Sequence, residues 1–321
     1  LQINLGERIF VISAAAALCG GGAVREGRVY QVGLVDEFKS GDRIRVCREA
    51  LEAKMARASI GRSRILLVDG SLVANLAAEP RFSAAIPGYR QSLSRSLWRE
   101  AVRELIEASG REGLRVITAD PRRKEELLEA GARILSLEGG NPYEDRRLYM
   151  LLSMMERVEQ AASILTLLRE GEERGIPIAS VSKTSSSRMA LCSERPDLVE
   201  IQARTREPGY LRPRPVSLPL TGVVREVARE LGVEESVEYV LTYARLARGA
   251  APLKIEIFGA REGEVEDLLE ALGSSSVSGY PYPLRRAHEL SVVSRRDLEA
   301  VVRMLELARA ESGREALGVV W

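Results

Sequence analysis

The feature that most constrains the fold is a short apolar run that ends in an acid and a glycine. Residues 64–71 read Arg-Ile-Leu-Leu-Val-Asp-Gly-Ser, so a continuous apolar stretch is followed at once by Asp69. Such a run, bounded by polar residues, is typical of a β-strand that is buried on both faces of a sheet. The sequence therefore predicts an α/β protein in which Asp69 lies at the end of a buried strand.

The residues before this strand predict three further strands and a helix. The strands are expected at Arg8–Ile12, Gly27–Phe38 and Asp42–Val46, and the helix at Cys47–Ala58, on the basis of alternating and helical spacing of apolar residues. Three antiparallel strands, a helix and a parallel strand is the order that builds an RNase H-like core. We predict this fold, a mixed five-stranded type of sheet flanked by helices, in a single domain over residues 1–321.

The rest of the chain is expected to add helical and loop insertions to that core. Inserted helices are predicted at about 85–175, with a strand at Gly113–Thr118 between them, and another strand at Gly175–Ser182. Residues 194–219 are rich in proline and arginine, which predicts an exposed, irregular excursion. Two more strands are expected near Val237–Ala247 and Leu253–Phe258, followed by closing helices.

The composition indicates that any ligand is recognised by local groups. The 47 basic and 46 acidic residues nearly cancel, so no bulk field attracts the chain to nucleic acid or to anionic lipid. The 3 cysteines lack the spacing of a metal site, and the apolar stretch near the start is too short to span a bilayer. We expect a cytoplasmic protein that has no membrane partner.

Candidate metal ligands follow from the predicted core. The end of its first strand, its helix and the end of its fourth strand converge at one edge of the sheet, where carboxylates can share divalent metals and act on a phosphate. Asp69 fills one position, and Glu49 or Glu52 fills a second. The third position carries Ser13, and a neutral hydroxyl is a poor ligand for magnesium or manganese. Asp36 on the neighbouring strand is the alternative.

Four segments, in the same order, resemble the NurA nucleases of archaea and some bacteria, which pair with the hexameric HerA ATPase in processing DNA ends. They are Arg48-Glu-Ala-Leu-Glu52, Leu66-Leu-Val-Asp-Gly-Ser71, Ile178-Ala-Ser-Val-Ser-Lys183 and Gly279-Tyr-Pro-Tyr-Pro-Leu-Arg-Arg-Ala-His288. The resemblance implies an RNase H-like core, a homodimer and a nuclease that uses manganese or magnesium, with two ions expected. It also implies 5'-3' exonuclease and single-strand endonuclease activity on single-stranded and double-stranded DNA ends.

The same resemblance assigns expected roles to individual residues. Asp69 and either Glu52 or Glu49 are similar to metal ligands of the family, His288 to an active-site residue near the metals, and Lys183 to a phosphate contact. Ser13 stands where the family has an aspartate. A catalytically inactive DNA-binding or scaffold subunit of the same fold is therefore the alternative function.

The remaining aromatic and basic candidates concern DNA binding. Tyr280 and Tyr282 alternate with prolines, which predicts either a rigid ledge on which a base stacks or a packed loop. The arginines of the predicted excursion can line a strand channel or belong to a solvated loop; they are Arg204, Arg206, Arg212 and Arg214. A third hypothesis, an unrelated α/β hydrolase, lacks a Ser-His-Asp context and a Gly-rich phosphate loop.

Overall fold

The structure, a computed structural model, describes residues 7–20, 23–36, 38–78, 94–137, 146–261 and 263–304. Its strands are β1 (Glu7–Gly20), β2 (Ala23–Asp36), β3 (Leu66–Asp69), β4 (Ile178–Ser182), β5 (Gly209–Tyr210), β6 (Arg214–Pro219), β7 (Ser236–Arg245), β8 (Leu253–Phe258), β9 (Ser276–Val277) and β10 (Tyr280–Pro281). Its α-helices are α1 (Ser40–Ser59), α2 (Leu72–Ala77), α3 (Arg95–Arg111), α4 (Lys124–Ile134), α5 (Arg146–Glu173), α6 (Asp197–Arg204), α7 (Gly222–Leu231), α8 (Glu264–Ser274), α9 (Tyr282–Ser291) and α10 (Arg295–Met304). The parts of the predicted helical insertion at 85–93 and 138–145 lie outside the described residues.

Six of the strands form one mixed sheet, which confirms the α/β class. From one edge to the other the order is β3, β4, β8 and β7, and both β5 and β6 pair with β7. β3 and β4 are parallel, whereas the other pairs are antiparallel. Because parallel strands end at the same edge of a sheet, Asp69 at the end of β3 lies beside the residues that follow Ser182.

The predicted first and second strands are present, but they form a separate ribbon. β1 and β2 pair antiparallel along their whole length, as a two-stranded sheet that is distinct from the six-stranded one. The predicted third strand at 42–46 is wrong, because these residues belong to α1. The three-stranded part of an RNase H-like core is therefore not found within the described ranges.

The physical reason for this difference lies on the buried face of α1. Arg43, Cys47, Ala50, Leu51 and Lys54 are buried at helical spacing. The two cations interrupt the apolar pattern in the sequence, yet both are buried because α5 supplies acids. Arg43 donates to Glu156, with 2.7 Å between Nη2 and Oε1. The helix α1 is thus stabilised by ion pairs with α5, and the spacing of residues within α1 does not predict them.

The predicted strand at Gly113–Thr118 is also wrong, because side chains satisfy its backbone. The amide of Val116 donates to Oε1 of Gln31 over 2.7 Å. The amides of Ile117 and Thr118 donate to the carboxylate of Glu159, each over 2.9 Å. Buried backbone groups need partners, and here they find them without a neighbouring strand. Val116 and Ile117 are buried, but the segment is irregular.

The predicted excursion at 194–219 is more regular than expected, since it contains α6, β5 and β6. Asp197, at the start of α6, is fully buried and anchors the region. Its carboxylate accepts from the amides of Ala190 and Leu191, at 3.0 and 2.9 Å, and from the Tyr243 hydroxyl at 2.8 Å. The prolines are compatible with β6 because it lies at the edge of the sheet.

The long helix α5 is the centre of the main core. Most of its residues are buried, and it packs against α1, α3, α4 and α7. In the part of the chain that the structure describes, no helix combines the length and apolar character needed to cross a membrane.

Candidate active site

Asp69 is the last residue of β3, and the turn after it is held by hydrogen bonds. The amide of Gly70 donates to the carbonyl of Val181 over 2.9 Å. Gly70 has a φ of 104°, in the region that favours glycine. Ser71 then caps α2, because its Oγ accepts from the amide of Ala74 over 3.0 Å. The chain turns directly after Asp69, and the Asp69 side chain remains 42% exposed at the sheet edge.

Tyr280 connects Asp69 to Lys183. Its hydroxyl donates to Oδ1 of Asp69 over 2.8 Å. Burial, the charge of Asp69 and this hydrogen bond all raise the pKa of Tyr280, so the phenol stays protonated and remains a donor. The ammonium of Lys183 lies 3.8 Å from the centroid of the Tyr280 ring, which is a cation–π contact. The three side chains therefore form one row.

The position of Tyr280 depends on the residue before it. Gly279 has a φ of 82°, and a Cβ built there would lie 2.2 Å from the Cβ of Ala250. Any side chain at position 279 would force apart the strand β10 and the turn between β7 and β8. Gly279 thus permits the close approach that brings Tyr280 to Asp69.

His288 lies on α9, on the other side of Asp69. Its Nδ1 is 3.9 Å from Oδ2 of Asp69, and its side chain is 61% exposed. This separation exceeds a hydrogen bond but leaves both groups free to bind a common ligand. The structure therefore brings four of the predicted site residues together, namely Asp69, Lys183, Tyr280 and His288.

The two candidate glutamates have different surroundings. Glu49 is buried, and its oxygens are occupied: Oε1 accepts from Arg45 over 2.8 Å, and Oε2 accepts from Gln160. Glu52 lines the same cleft as Asp69 and His288. The pKa of Glu52 is raised to about 7, chiefly by burial; the charge of Arg48 lowers it, and the charges of Glu49 and Asp69 raise it. Of the two, Glu52 is the one with a carboxylate available to the cleft.

The cleft is open and has a volume of about 1350 Å³. It runs between the β1–β2 ribbon, α1, β3, α8 and α9, and small residues, Ala14 to Ala17, line one wall. Three arginines that the sequence analysis did not select also line it: Arg25, Arg62 and Arg64. Arg62 and Arg64 lie just before the apolar run that ends at Asp69, whereas only the tertiary structure associates Arg25 with Asp69.

Position 13 has a structural contact in this chain. Ser13 is buried, and its Oγ donates to the carbonyl of Ser291 at the end of α9. The alternative acid, Asp36, does not take its place. The carboxylate of Asp36 pairs with Arg43 and accepts from the amide of Phe38 over 2.7 Å.

The remaining DNA-binding candidates are Tyr282 and four arginines. Tyr282 is 39% exposed in the first turn of α9. Arg204 pairs with Glu200 at 2.9 Å, and Arg214 donates to the carbonyls of Met189 and Ala190 at 3.3 and 3.2 Å. Arg206 and Arg212 are exposed in the same region. These four arginines surround β5 and β6, four strand spacings from β3, or roughly 19 Å.

The donor set can be tested against a divalent metal. Within the described ranges, no three His, Cys, Asp or Glu side chains lie close enough together to hold an ion. Glu52, Asp69 and His288 nevertheless line one cleft, and two carboxylates with an imidazole suit manganese. The acids also raise the pKa of Glu52, a repulsion that a cation would relieve. The residues fit part of a metal site, and position 13 adds no carboxylate.

These features define an α/β protein with an acidic site, supported by a tyrosine and a lysine, in a cleft at the edge of a mixed sheet. The family model described as the NurA domain matches residues 2–293 of the chain. The chain belongs to the NurA family.

Individual relatives are distant. The DNA double-strand break repair nuclease NurA of Sulfurisphaera tokodaii is 27% identical over 138 residues, which cover 41% of this chain and 38% of that protein. A probable nuclease of the same name from Methanocaldococcus jannaschii is 24% identical over 168 residues, 48% of this chain and 42% of that protein. The chain therefore matches less than half the length of these curated relatives.

Solved structures share the fold at low identity. A crystal structure of NurA bound to dAMP and manganese has a TM-score of 0.64 and 15% identity, covering 98% of this chain and 90% of that one. The NurA nuclease from Sulfolobus solfataricus has a TM-score of 0.61 and 17% identity, covering 94% and 84%. At this level of identity the likeness concerns the fold.

Proposed function

We propose that this chain is a metal-dependent deoxyribonuclease of the NurA type that acts in DNA double-strand break repair. The observation that carries the proposal is the placement of Glu52, Asp69 and His288 along one cleft, with Lys183 held beside Asp69 by Tyr280. Support also comes from relatives that are named as break repair nucleases, and from a similar structure that is named with dAMP and manganese.

In this proposal each side chain has a separate task. Asp69, Glu52 and His288 would hold the metal, and a divalent ion bound there would activate a water and stabilise charge on the phosphate. Lys183 contacts a phosphate of the DNA as a point charge. Tyr280 orients the Asp69 carboxylate through its protonated hydroxyl. Because these groups lie where a helix and the end of β3 meet, we also propose an RNase H-like relationship for the site.

A second candidate function is a DNA-binding or scaffold subunit that does not cut. The buried hydrogen bond of Ser13 to Ser291 favours it, because position 13 then serves the packing of α9 and supplies no ligand. Both candidates keep DNA as the partner. They differ only in whether two acids and a histidine are sufficient for catalysis.

Several finer properties rest on the family resemblance alone. We propose on that basis the use of two manganese or magnesium ions, 5'-3' exonuclease and single-strand endonuclease activity, a homodimer, a hexameric HerA-type ATPase partner and a cytoplasmic location. The arginines Arg204, Arg206, Arg212 and Arg214 form at most a second DNA-binding surface, since β5 and β6 lie away from β3 in the sheet. Tyr282, on the helix that carries His288, remains a proposed DNA contact.

The test uses labelled single-stranded and double-stranded oligonucleotides with Mn²⁺, Mg²⁺ or EDTA. The variants are Asp69→Asn and Ser13→Asp. Cleavage by the unmodified chain that needs Mn²⁺ and falls about 100-fold or more in Asp69→Asn supports the nuclease. Binding without cleavage, with cleavage gained only in Ser13→Asp, supports the scaffold. Absence of both binding and cleavage in every variant would reject both functions.

A further inference from the structure

A buried acid lies directly beneath the turn that follows Asp69. Glu256 is in the middle of β8 and is 1% exposed. Its Oε1 accepts from Oγ of Ser71 and from Nζ of Lys254, each over 2.6 Å. Its Oε2 accepts from Oγ of Ser180 over 2.6 Å and from the amide of Val73 over 3.3 Å. Both oxygens are thus fully engaged.

These partners belong to two elements next to Asp69, the strand β4 and the turn that leads into α2. Ser180 is the residue of β4 that pairs with Val68, immediately before Asp69. Ser71 and Val73 belong to the turn and to the first residues of α2. One carboxylate therefore connects the strand beside Asp69 with the helix that starts after it.

We propose that Glu256, with Lys254 as its counter-ion, is a positioning residue that fixes the Asp69–Ser71 turn and hence the direction of the Asp69 carboxylate. The proposal deepens the proposed function and rests on it for its catalytic meaning. A buried ion pair contributes little net stability compared with an apolar pair of similar volume. Its particular contribution is geometry, because a carboxylate accepts from several fixed donors at once.

The chain contains a matched control for this network. Glu159 is fully buried and pairs with a buried lysine, with 2.6 Å between its Oε1 and Nζ of Lys54. It also accepts from backbone amides, those of Ile117 and Thr118. The two pairs therefore have the same chemistry and similar burial, but none of the contacts of Glu159 reaches the Asp69 turn.

The experiment compares Glu256→Gln with Glu159→Gln in the full chain. Mn²⁺ affinity is measured by electron paramagnetic resonance of the free ion, and hydrogen exchange is followed in the peptide that covers residues 66–78. Groups that orient a metal ligand typically change affinity by about 10- to 100-fold when removed. We expect such a weakening, together with faster exchange after Asp69, in Glu256→Gln only. Unchanged affinity, or equal weakening in both variants, would overturn the proposal.

Loss of a buried acid also leaves a lysine without a counter-ion, which can prevent folding. The double variants Lys254→Met/Glu256→Gln and Lys54→Met/Glu159→Gln remove that charge and keep the comparison matched. We expect both to fold and only the first to bind Mn²⁺ more weakly; equal Mn²⁺ affinity in the two would contradict the inference.

If the unmodified chain binds no Mn²⁺, the proposed metal site fails. In that case hydrogen exchange in residues 66–78 is the only test of whether Glu256 fixes the turn. Exchange in Glu256→Gln that equals that of the unmodified chain would reject this role.

Discussion

The candidate active site has two sides that are held in very different ways. The sheet side consists of Asp69, the last residue of β3, and Lys183, the residue after β4. Every residue of β4 is buried, and the Asp69 turn is bound to the carbonyl of Val181 and to Glu256. The helix side consists of β10 and α9, with Tyr280 and His288. In α9 only Leu284 is buried.

Polar contacts with the β1–β2 ribbon hold the helix side in place. Arg286 pairs with Glu26, Ser13 donates to the carbonyl of Ser291, and Arg28 donates to the carbonyl of Val292 over 2.6 Å. The two arginine contacts lie near the surface, contribute little each and weaken in salt, whereas Ser13 makes its hydrogen bond from a buried position. The difference teaches that buried neighbours fix Asp69, whereas a few replaceable contacts fix His288. The hydrogen bond from Tyr280 to Asp69 joins the two sides.

The largest effect is expected from removing the acid that faces both sides, in Glu52→Gln. We expect loss of detectable Mn²⁺ binding at pH 8, measured by calorimetry, because a neutral amide replaces an anionic ligand. The comparison predicts that hydrogen exchange of β3 and α9 in the metal-free protein stays as in the unmodified chain. Faster exchange there would show that Glu52 also holds the sides in place.

The same variant has an opposite effect on stability. The pKa of Glu52 is raised from 4.5 to about 7, so the folded state holds this proton more tightly than the unfolded state does. The contribution of Glu52 to metal-free stability is therefore greatest below about pH 4.5 and is lost as pH rises through about 7. Glu52→Gln should raise the Tm at pH 8 and leave it nearly unchanged at pH 4.5, by an amount reduced by solvent because the side chain is 38% exposed. A lower Tm at pH 8 would contradict the direction of the shift.

The next largest effect is expected from Ser13→Asp, which breaks the helix side. The substitution buries a carboxylate against the carbonyl of Ser291, so the metal-free Tm should fall by about 5 °C or more. Added Mn²⁺ should recover part of the loss if the new acid binds metal. Ser13→Ala, which loses only the hydrogen bond, is the control and should fall less. An unchanged Tm in Ser13→Asp would show that position 13 does not hold α9.

A smaller effect is expected from Tyr280→Phe, which uncouples the two sides. Removing a hydrogen bond to a charged group typically costs enough to change affinity about 10-fold. We expect this weakening of Mn²⁺ affinity, with faster hydrogen exchange in α9 and unchanged exchange in β3. Tyr282→Phe, on the exposed first turn of α9, should bind Mn²⁺ like the unmodified chain. Equal losses in the two variants would argue against a specific role for the Tyr280 hydroxyl.

The smallest effect is expected from Arg286→Gln, which removes the ion pair of α9 with Glu26. Exchange in α9 should rise at low salt and match the unmodified chain near 1 M salt, where such pairs are screened. Arg285→Gln is a close control, because Arg285 pairs only within the helix, with Glu289 at 3.1 Å. A rise that persists at high salt would assign the effect to packing.

The sequence by itself determined the elements whose pattern is local. The apolar run before Asp69 predicted the position of β3, but not its burial, because β3 lies at the sheet edge and only its Leu66 is buried. The run before Lys183 predicted β4, and the segment from Gly279 to His288 indicated the helix side. These predictions were possible because a buried strand and a motif are contiguous in the chain. They placed Asp69 at the sheet edge before any distance was known.

Only the tertiary structure decided the features that depend on distant side chains. Glu159 and Gln31 replace a strand partner for residues 116–118, and Glu156 permits a helix that buries Arg43. Likewise, Gln160 and Arg45 occupy Glu49, leaving Glu52 for the cleft. A buried polar group is stable only where its partner reaches it. The partner often lies far along the chain, so no pattern near the residue can show it.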